Sequence, residues 1–241
     1  MTSETDKYLS WFKEYKSNGF HETQGWLEER MLDVTFHAYH MMTEFGAKGG
    51  ALEIGIHHGR FFMAINAMVD DERYPSFAID LFEMQDLNID GSGKGNRDQF
   101  ITNLERFDRY KGRNVTVISA DSSRLDPASL EASPEMRPKV ISIDGGHTVE
   151  HTLKDLKIAE TLIADKGLVF LDDIIHRHWP GVFEAVILFL HQGPTLWPVF
   201  MGYNKMILTP MSAHSVYKAK FDALFPEAKT VQVAGYDLVA I

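Results

Sequence analysis

Five short apolar runs alternate with helix-patterned segments, and this alternation constrains the fold more than any other feature of the sequence. The runs are residues 51–56, 76–81, 115–120, 139–144 and 167–172. Short apolar runs of this kind are typical of strands that are buried on both faces of a sheet. Strands that alternate with helices form βαβ units with right-handed crossovers. The sequence therefore predicts an α/β fold built around a largely parallel sheet.

The two ends of the chain follow other patterns. Residues 1–47 are predicted to form an N-terminal helical cap, because apolar residues recur there with roughly a helical period. Residues 48–241 are predicted to form the main domain, in which the segments 197–209 and 230–241 add two further strands. No internal repeat and no polar linker divides the chain into more domains.

The composition excludes several functional classes. Lys and Arg number 24 and Asp and Glu 34, which gives a net charge of −10, so no nucleic-acid partner is expected. Without cysteine the chain has no disulfide, no thiol nucleophile and no cysteine-bound metal centre. The start of the chain is polar, unlike a signal peptide, and no apolar run approaches the ~18 residues of a membrane helix. These features predict a cytoplasmic protein without a membrane partner.

A glycine loop follows the first strand. Ligands of open α/β sheets bind beyond the carboxyl ends of the strands, and this end carries Glu53, Gly55 and Gly59 before a helical segment. The glycines let the backbone turn tightly and approach a ligand, and the helix start favours an anionic group. Asp80 ends the second strand, at about the separation from the loop at which an acidic group meets ribose hydroxyls.

The third strand ends at Asp121 and Ser122, whose carboxylate and hydroxyl could contact an adenine edge. Each of these signals is weak alone, but three in this order at successive strand ends favour a nucleoside cofactor. The loop lacks the G-x-G-x-x-G pattern, which disfavours a nicotinamide dinucleotide.

This pattern of E-x-G-x-x-x-G, an acidic end to strand two and an Asp after strand three resembles the class I S-adenosylmethionine-dependent methyltransferases. The resemblance extends from about residue 50 to the end of the chain. It implies a Rossmann-like, seven-stranded and mostly parallel sheet with an antiparallel C-terminal hairpin. It also implies S-adenosylmethionine as the cofactor, with the methionine part, the ribose and the adenine contacted in turn by Glu53, Gly55 and Gly59, by Asp80, and by Asp121 and Ser122.

Three aspartates lie at the ends of the fourth and fifth strands, namely Asp144, Asp172 and Asp173. Carboxylates that converge at one sheet edge repel each other unless protons or a cation intervene, and an all-oxygen cluster suits Mg²⁺ or another hard divalent ion. The pattern resembles a subset of metal-dependent O-methyltransferases related to macrocin and aminocoumarin sugar-tailoring enzymes. That resemblance implies the three aspartates as metal ligands.

A bound cation would lower the pKa of an acceptor hydroxyl and orient it for attack on the methyl donor. We expect His147 to take the proton, because histidine titrates near neutrality, with Asp144 beside it as the second catalytic residue. A role for His147 in capping the loop or supporting the metal ligands is the alternative. A zinc site built from His147, His151, His176 and His178 is disfavoured. The segment 88–96 reads either as a mobile lid or as a flexible surface loop.

Together these features predict an S-adenosylmethionine-dependent, metal-assisted O-methyltransferase that acts on a hydroxyl of a small molecule or sugar. The alternatives are an NAD-dependent oxidoreductase and a non-catalytic cofactor-binding module used in assembly. The sequence leaves the acceptor, the metal and the oligomeric state open, with a homo-oligomer among the alternatives.

Overall fold

The computed structural model describes residues 3–130 and 133–241, so residues 1 and 2 of the expected cap lie outside it. The strands, in chain order, are β1 (Gly50–Ile54), β2 (Ser76–Asp80), β3 (Val115–Ser119), β4 (Pro138–Ile143), β5 (Leu168–Leu171), β6 (Leu196–Gly202), β7 (Lys205–Pro210), β8 (Lys229–Val233) and β9 (Tyr236–Ala240). They form a single sheet in the order β3-β2-β1-β4-β5-β7-β6-β9-β8. β1 to β5 pair in parallel, and β7 runs antiparallel to β5. The α/β class and its Rossmann-like arrangement are confirmed.

The helices lie on both faces of this sheet. They are α1 (Glu4–Glu14), α2 (Phe20–Glu22), α3 (Arg30–Phe45), α4 (Arg60–Asn66), α5 (Arg97–Phe107), α6 (Val149–Leu162), α7 (Pro180–His191) and α8 (His214–Leu224). A π-helical turn at Tyr15–Gly19 links α1 to α2. No helix in the described part of the chain combines the length and apolarity that crossing a membrane requires.

The described residues form nine strands, two more than the sequence predicts, because each of the two tail segments folds as a hairpin. Tyr203 and Asn204 join β6 to β7 with φ values of 51° and 62°. Ala234 and Gly235 join β8 to β9 with φ values of 49° and 88°. Two successive left-handed residues make the tight turn that matches the twist of antiparallel strands. The apolar residues on either side read as one run, which concealed these turns.

The hydrophobic core is divided between the two faces of the sheet. On one face the described part of the cap joins the core of the sheet, since Tyr8 and Tyr39 are buried in the same cluster as Phe62. The other face is covered by α6 and α7, which bury Leu156 and Val186. The domain boundary at residue 47 stays a prediction.

The register of the central strands sets where the site lies. Ile54 of β1 pairs with Ile143 of β4, and Ile143 pairs with Leu171 of β5. These three strands therefore end level with one another. The loops that follow them meet at one edge, where an open α/β sheet binds its ligand.

Candidate functional site

A cavity of about 560 Å³ opens at the carboxyl ends of β1, β2, β4 and β5. Of the residues predicted for the site, those that line the cavity are Gly55, Asp80, Asp121, Ser122, Asp144, His147, Asp172 and Asp173. Glu53 and Gly59 do not line it. The structure thus brings nearly all predicted site residues to one cavity, which we divide into a cofactor end near β1 and β2 and a reaction end near β4 and β5.

The glycine loop has the geometry that only glycine permits at two positions. Gly55 has a φ of 86°, and a Cβ there would lie 1.8 Å from the backbone oxygen of Asp144. Gly59 precedes α4 with a φ of 88°, and its Cβ would lie 2.6 Å from the ring of Phe100. Gly55 therefore lets β1 and β4 approach closely at the cavity, whereas Gly59 lets α4 begin close to α5.

Asp80 is bound by the backbone of this loop. Its Oδ2 accepts hydrogen bonds from the amides of Ile56 at 2.7 Å and His57 at 2.8 Å. Its Oδ1 accepts from the amide of Phe82 at 2.7 Å. Burial raises the pKa of Asp80, and the three backbone hydrogen bonds oppose that rise. Asp80 thus shapes the glycine loop, and Oδ1, which accepts a single hydrogen bond, retains a lone pair that could accept from a ribose hydroxyl.

Asp121 and Ser122 lie on the opposite side of the cofactor end. Asp121 caps a short 3₁₀ helix by accepting from the amide of Ser123 at 2.9 Å. Beneath them Asp155 of α6 is fully buried, and neither of its carboxyl oxygens accepts a hydrogen bond from the described residues. Burial raises the pKa of Asp155 to about 7, with the Ser122 hydroxyl opposing the shift. No pattern in the sequence indicates this buried acid.

A second residue that the sequence did not indicate is Lys205, the first residue of β7. Its side chain is buried, its Nζ forms an ion pair with Asp172 Oδ2, and it lies 4.5 Å from the centre of the Phe61 ring. Glu53 is buried nearby, and its Oε2 has no hydrogen-bond partner among the described residues. Burial raises the pKa of Glu53 well above its usual value, and Lys205 partly offsets this. Lys205 is therefore a fixed cation at the reaction end.

The three aspartates predicted as a metal set do not converge on one point. Possible ligand atoms of Asp144, His147 and Asp173 lie within 4.8 Å of one another, whereas Asp172 is directed at Lys205. Consecutive residues at a strand end point in different directions, and Asp173 adopts a left-handed φ of 58°. Burial raises the pKa of Asp172 to about 7, although Lys205 lowers it.

His147 is surrounded by carboxylates. Its Nε2 lies 2.9 Å from Asp173 Oδ2 and 3.7 Å from Asp144 Oδ1, and its Nδ1 lies 2.8 Å from Asp90 Oδ2. Burial lowers the pKa of His147, but these carboxylates outweigh burial and raise it to about 11. In this arrangement His147 is protonated at neutral pH, which differs from the near-neutral titration expected from the sequence.

Two features complete the wall of the cavity. The ring of Trp179 stacks on His147 with 4.6 Å between ring centres. Trp26, 73% exposed, lies at the rim, 4.9 Å from the ring of His57. His176 stacks on Trp179 at 6.1 Å. Among the described residues His176 and His178 belong to no cluster with metal-ligand spacing.

The site can accommodate both groups that the resemblance implies. Gly55 lines the cavity together with the carboxylates of Asp80 and Asp121. At the reaction end, Asp144 and Asp173 offer oxygen atoms of the kind that Mg²⁺ prefers. The donor sets therefore fit a nucleoside cofactor and a hard cation.

Comparison with known proteins supports the same assignment. The profile of a family described as "Methyltransferase domain" matches residues 52–174. This range contains the glycine loop and all three aspartates at the reaction end. A comparison with curated protein sequences gives no match.

Solved structures show a similar fold. The O-methyltransferase NovP is 13% identical, with a TM-score of 0.59 over 76% of this chain and 80% of that protein. CalS11, a TDP-rhamnose 3'-O-methyltransferase of calicheamicin biosynthesis, is 15% identical, with a TM-score of 0.55 over 86% of this chain and 92% of its own. MycE, solved with Mg and SAH, is 14% identical, with a TM-score of 0.51 over 83% of this chain and 54% of MycE. At these identities the likeness concerns the fold alone.

Proposed function

Because this chain belongs to a family of methyltransferase domains, we propose that it is an S-adenosylmethionine-dependent O-methyltransferase assisted by a divalent cation. The acceptor would be a hydroxyl of a small molecule or sugar. One observation carries the proposal: the glycine loop and the cluster of Asp144, His147 and Asp173 face the same cavity. A methyl donor and a hydroxyl acceptor must meet in line, and the groups proposed to bind them would lie side by side in this arrangement.

At the cofactor end, the proposal assigns the methionine part to the loop around Gly55, with Glu53 below it and Gly59 at the start of the helix. Asp80 would accept from the ribose, since it lines the cavity and its Oδ1 has further acceptor capacity. Asp121 and Ser122 would contact the adenine. The roles of Asp80, Asp121 and Ser122 rest on their positions in the wall of the cavity.

At the reaction end, Asp144 and Asp173 would hold the cation, and Asp172 supports them through its ion pair with Lys205. The cation, when bound, would lower the pKa of the acceptor hydroxyl and offset the carboxylates around His147. His147 would hold the acceptor proton at Nε2, the ring atom that faces Asp144 and Asp173. Trp179 would exclude water from one face of this ring.

The acceptor class is proposed from the relatives together with the cavity wall. CalS11 acts on TDP-rhamnose, and its fold is similar over most of both chains. Trp26 and Trp179 offer flat apolar surfaces against which a sugar or another ring could lie. A hydroxylated ring compound is therefore the acceptor to test first.

The test combines binding with turnover. S-adenosylhomocysteine at about 100 times its Kd should raise the Tm by roughly 5–10 °C, because a ligand that binds only the folded state stabilises it. NAD at the same concentration should leave the Tm unchanged. Radiolabelled methyl transfer should then be measured with a panel of sugar nucleotides and catechols, with and without a chelator.

We expect the chelator to abolish transfer while S-adenosylhomocysteine stays bound. Full activity of thoroughly chelated enzyme would contradict the role of the metal but not methyl transfer itself. Stabilisation by NAD as large as that by S-adenosylhomocysteine would reject the proposed function.

A further inference from the structure

Residues 85–96 form a strap across the mouth of the cavity. At its C-terminal end, Gly95 packs so closely on Asp80 that a Cβ would lie 2.5 Å from Oδ1, and the amide of Asn96 donates to the carbonyl of His57 at 3.3 Å. The strap is therefore attached to the cofactor end. Its middle reaches the opposite end of the cavity.

Asp90 makes that second attachment. Its Oδ2 accepts from the backbone amide of His147 at 2.8 Å and lies 2.8 Å from Nδ1 of the same residue. Its Oδ1 accepts from the Ser92 hydroxyl at 2.5 Å. Only 7% of the Asp90 side chain is exposed, so these contacts are shielded from water. Both carboxyl oxygens thus have defined partners, and one of these partners is Nδ1 of His147.

These contacts allow the His147 ring only one orientation. A carboxylate only accepts hydrogen bonds, so Nδ1 must carry the proton that faces Asp90. With Nδ1 fixed, Nε2 is the atom directed at Asp173, at 2.9 Å, where it also donates, and it would be able to accept a proton once a bound cation takes up that carboxylate. Trp179 packs against the face of the ring and prevents it from turning. The direction of Nε2 is therefore set by a residue from a different loop.

We propose that Asp90 is a positioning residue for methyl transfer: it holds His147 with Nδ1 protonated and Nε2 directed at the acceptor hydroxyl. This inference rests on the proposed function. It also assigns a purpose to the strap, which joins the ribose-binding Asp80 to the proton acceptor His147. The second partner of an imidazole commonly fixes its tautomer and orientation in this way.

A purely structural role for Asp90 predicts a different outcome. If Asp90 only braced the strap, its loss would loosen the cofactor end and weaken S-adenosylhomocysteine binding along with turnover. A positioning role lowers kcat and leaves the cofactor affinity and the KM of the acceptor nearly unchanged.

The variants Asp90→Asn and Asp90→Ala test this, with Asp86→Asn as a matched control. Asp86 lies in the same strap and loses the same charge, but its side chain is exposed. The first measurement is NMR of histidine-labelled protein. A protected Nδ1–H signal of His147, identified by its loss in His147→Gln, should be present in the wild type and in Asp86→Asn and absent from Asp90→Ala.

The second measurement uses the acceptor from the panel that gives the highest rate. Asp90→Asn should lower kcat by about 10- to 100-fold, the usual cost of removing a partner of this kind, with S-adenosylhomocysteine affinity within about twofold of the wild type. Asp86→Asn should match the wild type in the Nδ1–H signal, in kcat and in S-adenosylhomocysteine affinity.

A protected Nδ1–H signal that survives in Asp90→Ala would overturn the inference, as would an unchanged kcat in Asp90→Asn. A fall in cofactor affinity as large as the fall in kcat would also overturn it in favour of a brace. If the wild type transfers no methyl group to any acceptor, the proposed function fails, while the NMR result still decides whether Asp90 orients His147.

Discussion

The two ends of the cavity neutralise buried carboxylates in different ways. At the cofactor end, Asp80 is held by three backbone amides, and Asp121 by the amide and hydroxyl of Ser123 together with the exposed guanidinium of Arg124. At the reaction end, Asp172 is held by Lys205, and Asp90 and Asp173 by His147. Amides supply partial charges that are fixed by the backbone, whereas side-chain cations supply full charges that a substrate or metal can displace. We infer that the cofactor end is rigid and the reaction end is adjustable.

The largest expected effect comes from removing the fixed cation. Lys205→Met should lower the free energy of unfolding by about 3–5 kcal/mol, because Asp172 would remain buried without its counter-charge. The double variant Lys205→Met/Asp172→Asn should recover most of that loss. Urea denaturation measures both values.

Lys218→Met is the control for this experiment. Lys218 pairs with Asp222 at 2.9 Å on the surface, and surface pairs contribute about 0–1 kcal/mol. If Lys205→Met cost no more than Lys218→Met, the reaction end would not depend on a buried cation, and the comparison between the two ends would fail.

A smaller effect is expected at the cofactor end. Asp80→Asn keeps the shape but turns an NH₂ group toward backbone amides that can only donate, which leaves at least one of them unsatisfied. The variant should lose about 1–3 kcal/mol of stability, the usual cost of an unsatisfied buried donor. It should also bind S-adenosylhomocysteine more weakly by calorimetry.

Asp86→Asn again provides the matched control, because the same charge is removed from an exposed side chain. Unaltered stability and unaltered cofactor affinity in Asp80→Asn would show that the amides of Ile56 and His57 do not need this carboxylate.

The smallest effect on stability is expected at Asp155, whose carboxyl group is held neither by a side-chain cation nor by backbone amides. Its pKa in the folded protein, about 7, lies above the value of an unfolded Asp, so its burial destabilises the fold progressively as pH rises toward 7 and fully above it. Asp155→Asn removes this penalty and should raise the free energy of unfolding by about 1–2 kcal/mol at pH 8. The gain should shrink as pH falls toward 5.

Thermal unfolding at the two pH values gives the measurement. Asp165→Asn removes a charge from an exposed position and should change stability by less than about 0.5 kcal/mol at either pH. A loss of stability in Asp155→Asn at pH 8 would mean that a partner binds the carboxylate and that its burial does not destabilise the fold.

The same difference between the two ends explains which site residues could be predicted from the sequence. At the cofactor end each functional residue lies at the end of a parallel strand or within two residues of it, so Gly55, Asp80 and Asp121 can be located from the strand pattern alone. The cavity contains all three. The partners of Asp80 are the amides of the loop beside it, which any sequence would supply.

At the reaction end the partners come from distant parts of the chain. Lys205 and Asn204 belong to a hairpin whose turn lies within an apolar run, and Asp90 belongs to a glycine-rich loop without periodicity. Neither pattern fixes a register, so the sequence could not show that Asp172 faces a lysine. Nor could it show that three carboxylates would keep His147 protonated.

The turn at Tyr203 and Asn204 has a consequence for the order in which the protein folds. Asn204 donates to Asp173 Oδ1 at 2.7 Å, and the next residue, Lys205, pairs with Asp172. During synthesis the five parallel strands emerge before this turn does. Their acidic ends must remain hydrated, or protonated, until the hairpin inserts β7 beside β5. Pairing of β7 with β5 and charge balance at the reaction end are therefore a single event, which cannot occur before the hairpin has been synthesised.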